Sequence, residues 1–214
     1  PVHYHRESGS MLGSVLLTLP GTPFIYNGEE IGMTNVDYTD VNDFNDVWVK
    51  NNVKKLLEHD TMENVMDQLR RTSRDNARTP MQWSSAPYAG FSKVKPVQKE
   101  ISNYTEVNVE KQLSESNSIL KAYQKLIHLR RFSEYSDVLV FGQFELVQAE
   151  HEDVFAYDRY NENKRVRIIA NFRPFTVKFD TPEGKIIFTN YERDYSVGLE
   201  LKPFEVIIIE LKHD

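Results

Sequence analysis

The sequence predicts an α+β chain, with a mostly helical first part followed by an antiparallel β domain. Early in the chain, a helical pattern, a Pro-Gly stop and a short apolar strand pattern follow one another. This order is typical of an α/β barrel unit. After residue 133, apolar residues instead alternate within short segments that polar turns separate. That pattern indicates an antiparallel sandwich.

The first part opens with a predicted helix at residues 8–19, where apolar residues recur at helical spacing. Pro20-Gly21 stops this helix. The short apolar run Phe24–Tyr26 then has the pattern of a buried strand, and it ends at Asn27-Gly28. We therefore expect one helix, one tight turn and one strand in this region.

The same helical periodicity predicts three further helices, at 47–58, 61–71 and 117–131. Thr61 is the expected N-cap of the second of these helices, and Ser118 or Asn117 that of the third. Residues 73–97 hold several prolines and glycines and few periodic apolar residues, so they are predicted to be a loop.

Seven strands are predicted in the β domain, at 138–141, 144–147, 154–157, 165–172, 176–179, 185–189 and 205–211. The change of period places a domain boundary near residues 132–136. Residues 1–133 are therefore predicted to form one domain and residues 134–214 the antiparallel β domain.

Composition excludes several classes of function. The net charge is −6 and no Lys/Arg cluster is present, so nucleic acid is not an expected partner. The absence of cysteine excludes disulfides and thiolate metal sites and fits a cytoplasmic location. No apolar run approaches the ~20 residues that span a bilayer, and the first residues lack the apolar core of a secretory signal. We therefore expect no membrane partner.

Two motifs carry most of the functional information. The segment Arg74–Trp83 reads Arg-Asp-Asn-Ala-Arg-Thr-Pro-Met-Gln-Trp, and Gly21–Asn35 holds Gly-Thr-Pro-Phe-Ile-Tyr-Asn-Gly-Glu-Glu-Ile-Gly-Met-Thr-Asn. Guanidinium groups on a loop beside polar and aromatic side chains suit a site that binds many hydroxyls. Together the motifs resemble the α-glucosidase branch of the α-amylase superfamily, glycoside hydrolase family 13. The resemblance is to the group of oligo-1,6-glucosidases, dextran glucosidases and trehalose-6-phosphate hydrolases.

The resemblance covers the chain and implies a fold. It is to the C-terminal part of such enzymes: the last portion of a (β/α)8 TIM barrel, followed by a C-terminal antiparallel β-sandwich domain. On this basis residues 8–19 correspond to the helix after the seventh strand. Phe24–Tyr26 corresponds to the eighth strand and 117–131 to the eighth helix. The active site of such barrels lies at the C-terminal ends of the strands.

The resemblance also implies a role for Arg74. In such enzymes the first arginine of this motif reaches the subsite that holds the glucose being cleaved. An alternative is an arginine that pairs with Asp75 or another acid only to fix the loop. Asp75, Asn76, Arg78 and Trp83 are expected to be the scaffold of the loop, with Trp83 burying a large area.

Trp48 is a second candidate for substrate binding. Asp46-Val47-Trp48 aligns with a place where the resembling α-1,6 enzymes carry Asp, an aliphatic residue and Glu, near the site of the second sugar. A tryptophan stacks on a sugar ring but accepts no hydrogen bond from its hydroxyls. The linkage (α-1,6, α-1,4 or α-1,1) therefore stays open, as does a phosphate on the sugar. The alternative is that Trp48 packs in the core.

Glu29 and Glu30 invite an acid/base interpretation, but neighbours on an extended chain point to opposite sides, so we expect them to be scaffold. Glycoside hydrolysis needs a carboxylate pair that flanks the scissile bond. The motifs that carry the catalytic acids in the resembling enzymes do not occur here. No catalytic residue is therefore assigned, and the chain alone is not expected to hydrolyse a glycoside.

No metal site or cofactor is expected. Asp37, Asp40, Asp43 and Asp46 recur every three residues, which leaves calcium as an alternative to an acidic loop that caps helices. His3 and His5 are too few ligands for a metal site. A further set of basic residues is interpreted as a solvated loop rather than a phosphate site: Lys93, Lys95 and Lys99.

Two functions are predicted. The first is part of an intracellular retaining α-glucosidase that acts on short α-glucosidic oligosaccharides and whose partner is the missing N-terminal barrel portion. The second is a free carbohydrate-binding or interaction module, for which exposed aromatic residues in a row on the β domain would be the signature. A partial barrel exposes apolar faces. We therefore expect residues 1–103 to be partly disordered or buried in an oligomer.

Overall fold

The computed structural model describes residues 2–180, 182–192 and 199–212. Its α-helices are α1 His5–Thr18, α2 Val47–Leu57, α3 Met62–Thr72, α4 Val109–Ser114, α5 Ile119–Phe132 and α6 Ser136–Phe141. Its strands are β1 Gln143–Val147, β2 Val154–Tyr160, β3 Arg165–Asn171, β4 Val177–Phe179, β5 Gly184–Thr189, β6 Leu199–Leu201 and β7 Val206–Leu211. Short 3-10 turns occur at Val2–Tyr4, Glu29–Ile31, Val41–Asp43, Arg74–Arg78, Pro87–Gly90 and Ser102–Thr105.

The chain divides into two compact units. The sheet unit comprises Pro1–Glu30 and Glu115–Asp214, and the arginine unit comprises Ile31–Ser114. The division of the chain after residue 133 stays a prediction. Within the sheet unit, α5 and the sheet share one buried core although they lie on opposite sides of that boundary.

The sheet unit is built on five antiparallel strands in the order β1-β2-β3-β7-β5. One face of this sheet packs against α1, α5 and α6, and residues such as Met11, Leu126 and Ile168 form the shared core. The other face packs against the two-stranded antiparallel sheet of β4 and β6. Helices therefore cover one face and two short strands the other, which buries both faces of β3 and β7.

Helix α1 packs closely on α5 because two of its residues lack side chains. A Cβ atom on Gly9 would lie 2.7 Å from Cδ1 of Ile119, and one on Gly13 would overlap the Tyr123 ring. The predicted helix at 8–19 is confirmed, and it begins three residues earlier. The predicted helix at 117–131 is also confirmed, with Ser118 as N-cap: its Oγ accepts from the Lys121 N–H at 3.2 Å.

Two predicted strands of the sheet unit are wrong. Residues 138–141 form the end of α6. Val138 and Leu139 are both fully buried, which a helix packed on a sheet allows and an alternating strand does not. Phe24–Tyr26 is exposed and forms no strand ladder with any described residue. An apolar run becomes a strand only where a neighbouring strand takes up its backbone hydrogen bonds.

The other six predicted strands are confirmed within three residues at each end. The prediction missed β6, because three residues carry too short an alternation to be recognised. Of the helices, α4 was missed for the same reason: its six residues complete fewer than two turns.

The arginine unit contains α2, α3 and long irregular segments around its own core of buried residues, which includes Tyr38, Phe44 and Leu69. The predicted helices at 47–58 and 61–71 are confirmed within one residue. Oγ1 of Thr61 accepts from the Asn64 N–H at 3.3 Å, so the predicted N-cap is also confirmed. Among the residues that the structure describes, no helix is long and apolar enough to cross a membrane.

Candidate substrate-binding site around Arg74

The centre of the candidate site is an ion pair between Arg74 and Asp46. Asp46 is the N-cap of α2, and Arg74 begins a 3-10 turn whose N-cap is Ser73. Arg74 Nε donates to Asp46 Oδ2 at 2.8 Å, and Arg74 Nη2 donates to Oδ1 at 2.7 Å. This two-bond geometry fixes the plane of the guanidinium.

The two partners differ in exposure. The Asp46 side chain is only 3% exposed, whereas the Arg74 side chain is 64% exposed. The hydrogen bond from Arg74 lowers the pKa of Asp46 from 3.8 to about 2, and the same bond raises the pKa of Arg74. No hydrogen bond to a described residue uses Nη1 of Arg74. The pair therefore presents a fixed, charged donor group at the surface.

Asp75 lies beneath this pair and is fully buried. Its Oδ2 accepts from the backbone N–H groups of Asn45 and Asp46 at 2.7 and 2.8 Å, and its Oδ1 accepts from Gln98 Nε2 at 3.1 Å. Asp75 thus holds the backbone that carries Asp46. It is Asp46, and not Asp75, that forms the direct hydrogen bonds with Arg74.

Arg78 and Asn76 complete the loop. Nη1 of Arg78 lies 3.6 Å from Asp75 Oδ1 and 3.9 Å from Asp46 Oδ2, so one cation faces both carboxylates. Asn76 Oδ1 accepts from the Val36 N–H at 3.2 Å, and Asn76 Nδ2 donates to the Arg70 carbonyl at 2.8 Å. These contacts are local to the arginine unit and connect three of its segments.

Trp48 stands next to the ion pair. Its backbone N–H donates to Asp46 Oδ1 at 2.9 Å, which is the same oxygen that accepts from Arg74 Nη2. The side chain of Trp48 is 48% exposed, so it is not packed in the core. One carboxylate oxygen therefore fixes both the guanidinium of Arg74 and the backbone that presents an exposed indole.

The expectation that Trp83 buries a large area is wrong, because its side chain is 50% exposed. The neighbouring Gln82 anchors this segment instead. Gln82 is fully buried, and its Nε2 donates to Asn103 Oδ1 at 3.0 Å and to the Val107 carbonyl at 2.9 Å. A buried amide satisfies backbone groups that an indole cannot reach, since the indole has a single donor.

Glu29 and Glu30 belong to the sheet unit and point to different partners. Glu29 Oε1 accepts from the hydroxyl of Tyr123 at 3.0 Å, and Glu30 Oε2 accepts from the Gly28 N–H at 2.7 Å. Burial and the charge of Glu29 raise the pKa of Tyr123, so its hydroxyl stays protonated and donates. Both glutamates therefore fix local structure around residues 28–30.

The four aspartates at three-residue spacing do not converge. Asp40 and Asp46 cap separate turns, Asp43 pairs with Lys99 at 3.3 Å, and Asp37 lies 3.6 Å from Nε of Arg70. Among the described residues, no three His, Cys, Asp or Glu side chains are grouped to hold a metal ion. Helix capping by Asp40 and Asp46 matches the interpretation of an acidic capping loop.

Asp46 was not predicted from the sequence as the partner of Arg74. An aspartate directly before a helical pattern is a typical N-cap signal, so its capping role was predictable. The pairing was not, because the two residues lie 28 positions apart and only the fold brings them together. Gln82 and Gln98 were missed for a similar reason, since a glutamine on a loop carries no signal of burial.

Known proteins are similar to this chain along most of its length. Residues 2–138 match the family model described as alpha amylase, catalytic domain. An oligo-1,6-glucosidase of Heyndrickxia coagulans is 38% identical over 214 residues, covering 98% of this chain and 38% of that protein. A trehalose-6-phosphate hydrolase of Bacillus subtilis is 33% identical over 218 residues, covering 97% of this chain and 38% of that protein.

Solved structures give the same result. The crystal structure of the isomaltulose synthase from Klebsiella sp. LX3 superposes with a TM-score of 0.89 at 30% identity, over 97% of this chain and 38% of that one. The trehalose-6-phosphate hydrolase of Bacillus licheniformis superposes with a TM-score of 0.90 at 31% identity, over 97% and 39%.

The family model matches more than half of the chain, so the chain belongs to the α-amylase family. Within that family it is similar to oligo-1,6-glucosidases and trehalose-6-phosphate hydrolases. It spans about 38% of the length of these curated relatives.

Proposed function

We propose that this chain is the substrate-orienting part of an α-glucosidase that cleaves short α-glucosidic oligosaccharides with retention of configuration. In this proposal α1, residues 24–26 and α5 supply the end of a (β/α)8 barrel, and the two sheets supply its C-terminal β-sandwich domain. The catalytic carboxylates come from a preceding barrel portion, and the enzyme works in the cytoplasm. Retention proceeds through a glycosyl-enzyme intermediate.

The observation that carries this proposal is that Asp46 occupies only some of the hydrogen-bond donors of the Arg74 guanidinium. Asp46 occupies Nε and Nη2 of Arg74, and the side chain remains 64% exposed. An arginine that only fixed a loop would direct its donors inward. Here Nη1 is held in a defined direction at the surface, where it can donate to a sugar hydroxyl. The role of Arg74 is to orient the glucose, and it transfers no proton.

Trp48 supplies the second contact in this proposal. The backbone N–H of Trp48 and Nη2 of Arg74 share Asp46 Oδ1 as acceptor, so in this proposal Trp48 is the neighbour of a sugar at Arg74. The exposed indole offers an apolar ring face to the C–H groups of the next sugar. It places no hydrogen-bond acceptor against that sugar's hydroxyls, so it selects by shape.

The partner that we propose for the sheet unit is the remaining barrel. Phe24 is 83% exposed, and Phe24–Tyr26 forms no strand ladder with any described residue. Leu12 on α1 is exposed as well. Adjacent barrel strands and helices would cover these apolar groups. Oligomerisation through the same faces is the alternative way to cover them.

Activity measurements test whether the catalytic carboxylates lie outside this chain. The 214-residue chain is purified and assayed with p-nitrophenyl-α-glucoside, and we expect no release above a heat-killed control. A chimera in which this chain replaces the matching part of the Heyndrickxia coagulans oligo-1,6-glucosidase is then assayed, and we expect it to be active. Release by the chain alone would contradict the proposal and would direct attention to Glu29 and Glu30. An inactive but folded chimera would also contradict it.

A further inference from the structure

A cavity of about 570 Å³ lies at one end of the sheet unit. It is formed where α6 ends and β1 begins, beside the turn that joins β2 to β3. The volume falls within the range of small-molecule binding sites, roughly 300–1,000 Å³. The backbone around it is tightly constrained: a Cβ atom on Gly142 would lie 2.9 Å from the carbonyl oxygen of Tyr160. The walls are therefore fixed by close packing of the two segments.

Two aromatic rings line this cavity. Phe141 is 79% exposed, although it ends a helix whose Val138 and Leu139 are fully buried. The ring of Tyr160 is half-buried, and the guanidinium of Arg165 stacks at 4.5 Å from its centroid. Tyr160 is thus held in place, while Phe141 offers its ring to solvent. An apolar ring face of a ligand typically stacks on an exposed phenylalanine at the edge of a cavity.

Short polar side chains provide the rest of the lining. Asn161 Nδ2 donates to Asp137 Oδ2 at 2.8 Å, and Asn161 Oδ1 accepts from two backbone N–H groups of the turn at 2.9 Å. Glu162 and Asn163 are exposed beside them. Carboxylates and amides in such a cluster accept from and donate to hydroxyl groups.

The charge of the lining selects the ligand class. Among the described residues, no lysine or arginine lines the cavity, while two carboxylates do. The nearest cations are already engaged, since Arg165 pairs with Asp158 and Glu145 and Arg159 donates to the carbonyls of Gly142 and Gln143. The lining itself therefore disfavours a phosphate or a carboxylate ligand. A lipid would leave the acids and amides without partners. A ligand with many neutral hydroxyls and apolar ring faces satisfies both the polar groups and the aromatic rings.

We propose that this cavity binds a neutral oligosaccharide, with Phe141 as the stacking platform. The site lies wholly within the sheet unit and does not involve Arg74 or Trp48. It also does not depend on the proposed glucosidase function, because it is derived from its own lining.

Calorimetric titration of the full 214-residue chain with maltotriose tests this proposal. Phe141→Ala is compared with Phe132→Ala, which removes another phenylalanine of the sheet unit that is 71% exposed and lies outside the cavity. We expect wild type and Phe132→Ala to bind equally and Phe141→Ala to bind about tenfold more weakly. Phe141→Trp keeps a ring face and should restore binding. Arg74→Ala is titrated alongside, to identify any sugar that binds in the arginine unit.

Several results would overturn this site. One is wild-type protein that gives no heat with maltotriose at millimolar concentration. Another is a Phe141→Ala variant that binds as tightly as Phe132→Ala. Loss of binding in Arg74→Ala with full binding in Phe141→Ala would assign the sugar to the arginine unit. Failure of the glucosidase assays would leave the expected titration results unchanged, so the two proposals are tested separately.

Discussion

At the scale of single residues, the arginine unit is organised around one carboxylate. Asp46 caps α2, accepts two bonds from Arg74 and lies near Arg78. Such hydrogen-bond donors and cations favour the ionised form of the carboxylate. The position of Arg74 is therefore a consequence of the helix start, which in turn depends on Asp75 holding the backbone of Asn45 and Asp46.

This carboxylate gives the protein a specific dependence on pH. The pKa of Asp46 is lower in the folded protein than its ordinary value of 3.8, so the folded state binds fewer protons and the pair stabilises the fold above that pH. The contribution is lost as pH falls from about 4 through about 2.

We predict that the thermal midpoint falls less over this pH interval in Asp46→Asn than in wild type. Circular dichroism melts from pH 5 to pH 2 measure the difference. Asp67→Asn is the matched control, since Asp67 pairs with Arg71 on the exposed surface of α3. It should keep the wild-type slope. Identical slopes for wild type and Asp46→Asn would show that the pair does not contribute.

At the scale of elements, the packing of α1 on α5 depends on the glycines that face α5. Alanine in place of glycine inside an exposed helix normally stabilises it by about 1 kcal/mol. At Gly13 we predict the opposite sign, a loss of roughly 1–3 kcal/mol in the free energy of unfolding, because the new methyl group overlaps the Tyr123 ring. Urea denaturation measures it.

The neighbouring Leu12→Ala is the control for this substitution. Leu12 is exposed on the same helix, so its truncation should change stability by less than about 0.5 kcal/mol. A Gly13→Ala variant more stable than wild type would mean that the two helices are not in close contact.

Elements also show how far sequence alone predicts this fold. The long periodic segments that became α1, α5, β2, β3 and β7 were predicted correctly, because their patterns repeat over several turns or alternations. Residues 138–141 and Phe24–Tyr26 were not, since a run of three or four apolar residues fits helix, strand or loop equally well. The surrounding fold decides such runs: α6 lies over a sheet, and Phe24–Tyr26 has no neighbouring strand in the described chain.

The candidate site was predicted to a similar extent. The Arg74–Trp83 motif located the loop through its residue types. Three side chains that fix the loop, Asp46, Gln82 and Gln98, were missed because their roles come from contacts across 20 to 30 residues. Trp83 was assigned to burial because it is large and apolar, yet an adjacent amide takes the buried position.

At the scale of the whole molecule, the exposed segment near Phe24 predicts uneven protection in hydrogen exchange. We expect amides of 22–27 to exchange fast and those of β3 and β7 slowly, since these strands are buried on both faces. Exchange followed by mass spectrometry, together with light scattering for oligomeric state, tests this. An oligomer should protect 22–27. A monomer with uniformly slow exchange would contradict the expectation of an uncovered barrel face.

The role of Arg74 is tested most directly by kcat/KM for p-nitrophenyl-α-glucoside in the active chimera. Arg74→Ala is compared with Arg71→Ala, another exposed arginine that pairs with an aspartate, and with Arg74→Lys, which keeps a cation against Asp46. Melting temperatures are recorded alongside, because Arg74→Ala leaves Asp46 without its ion partner.

We predict that Arg74→Ala lowers kcat/KM at least tenfold, about 1.4 kcal/mol of transition-state stabilisation, and that Arg71→Ala leaves it unchanged. Arg74→Lys should be intermediate, because an ammonium group cannot make the two-bond fork and also reach a sugar hydroxyl. A folded Arg74→Ala chimera whose kcat/KM lies within about twofold of wild type would contradict the account, since the guanidinium would then only fix the loop.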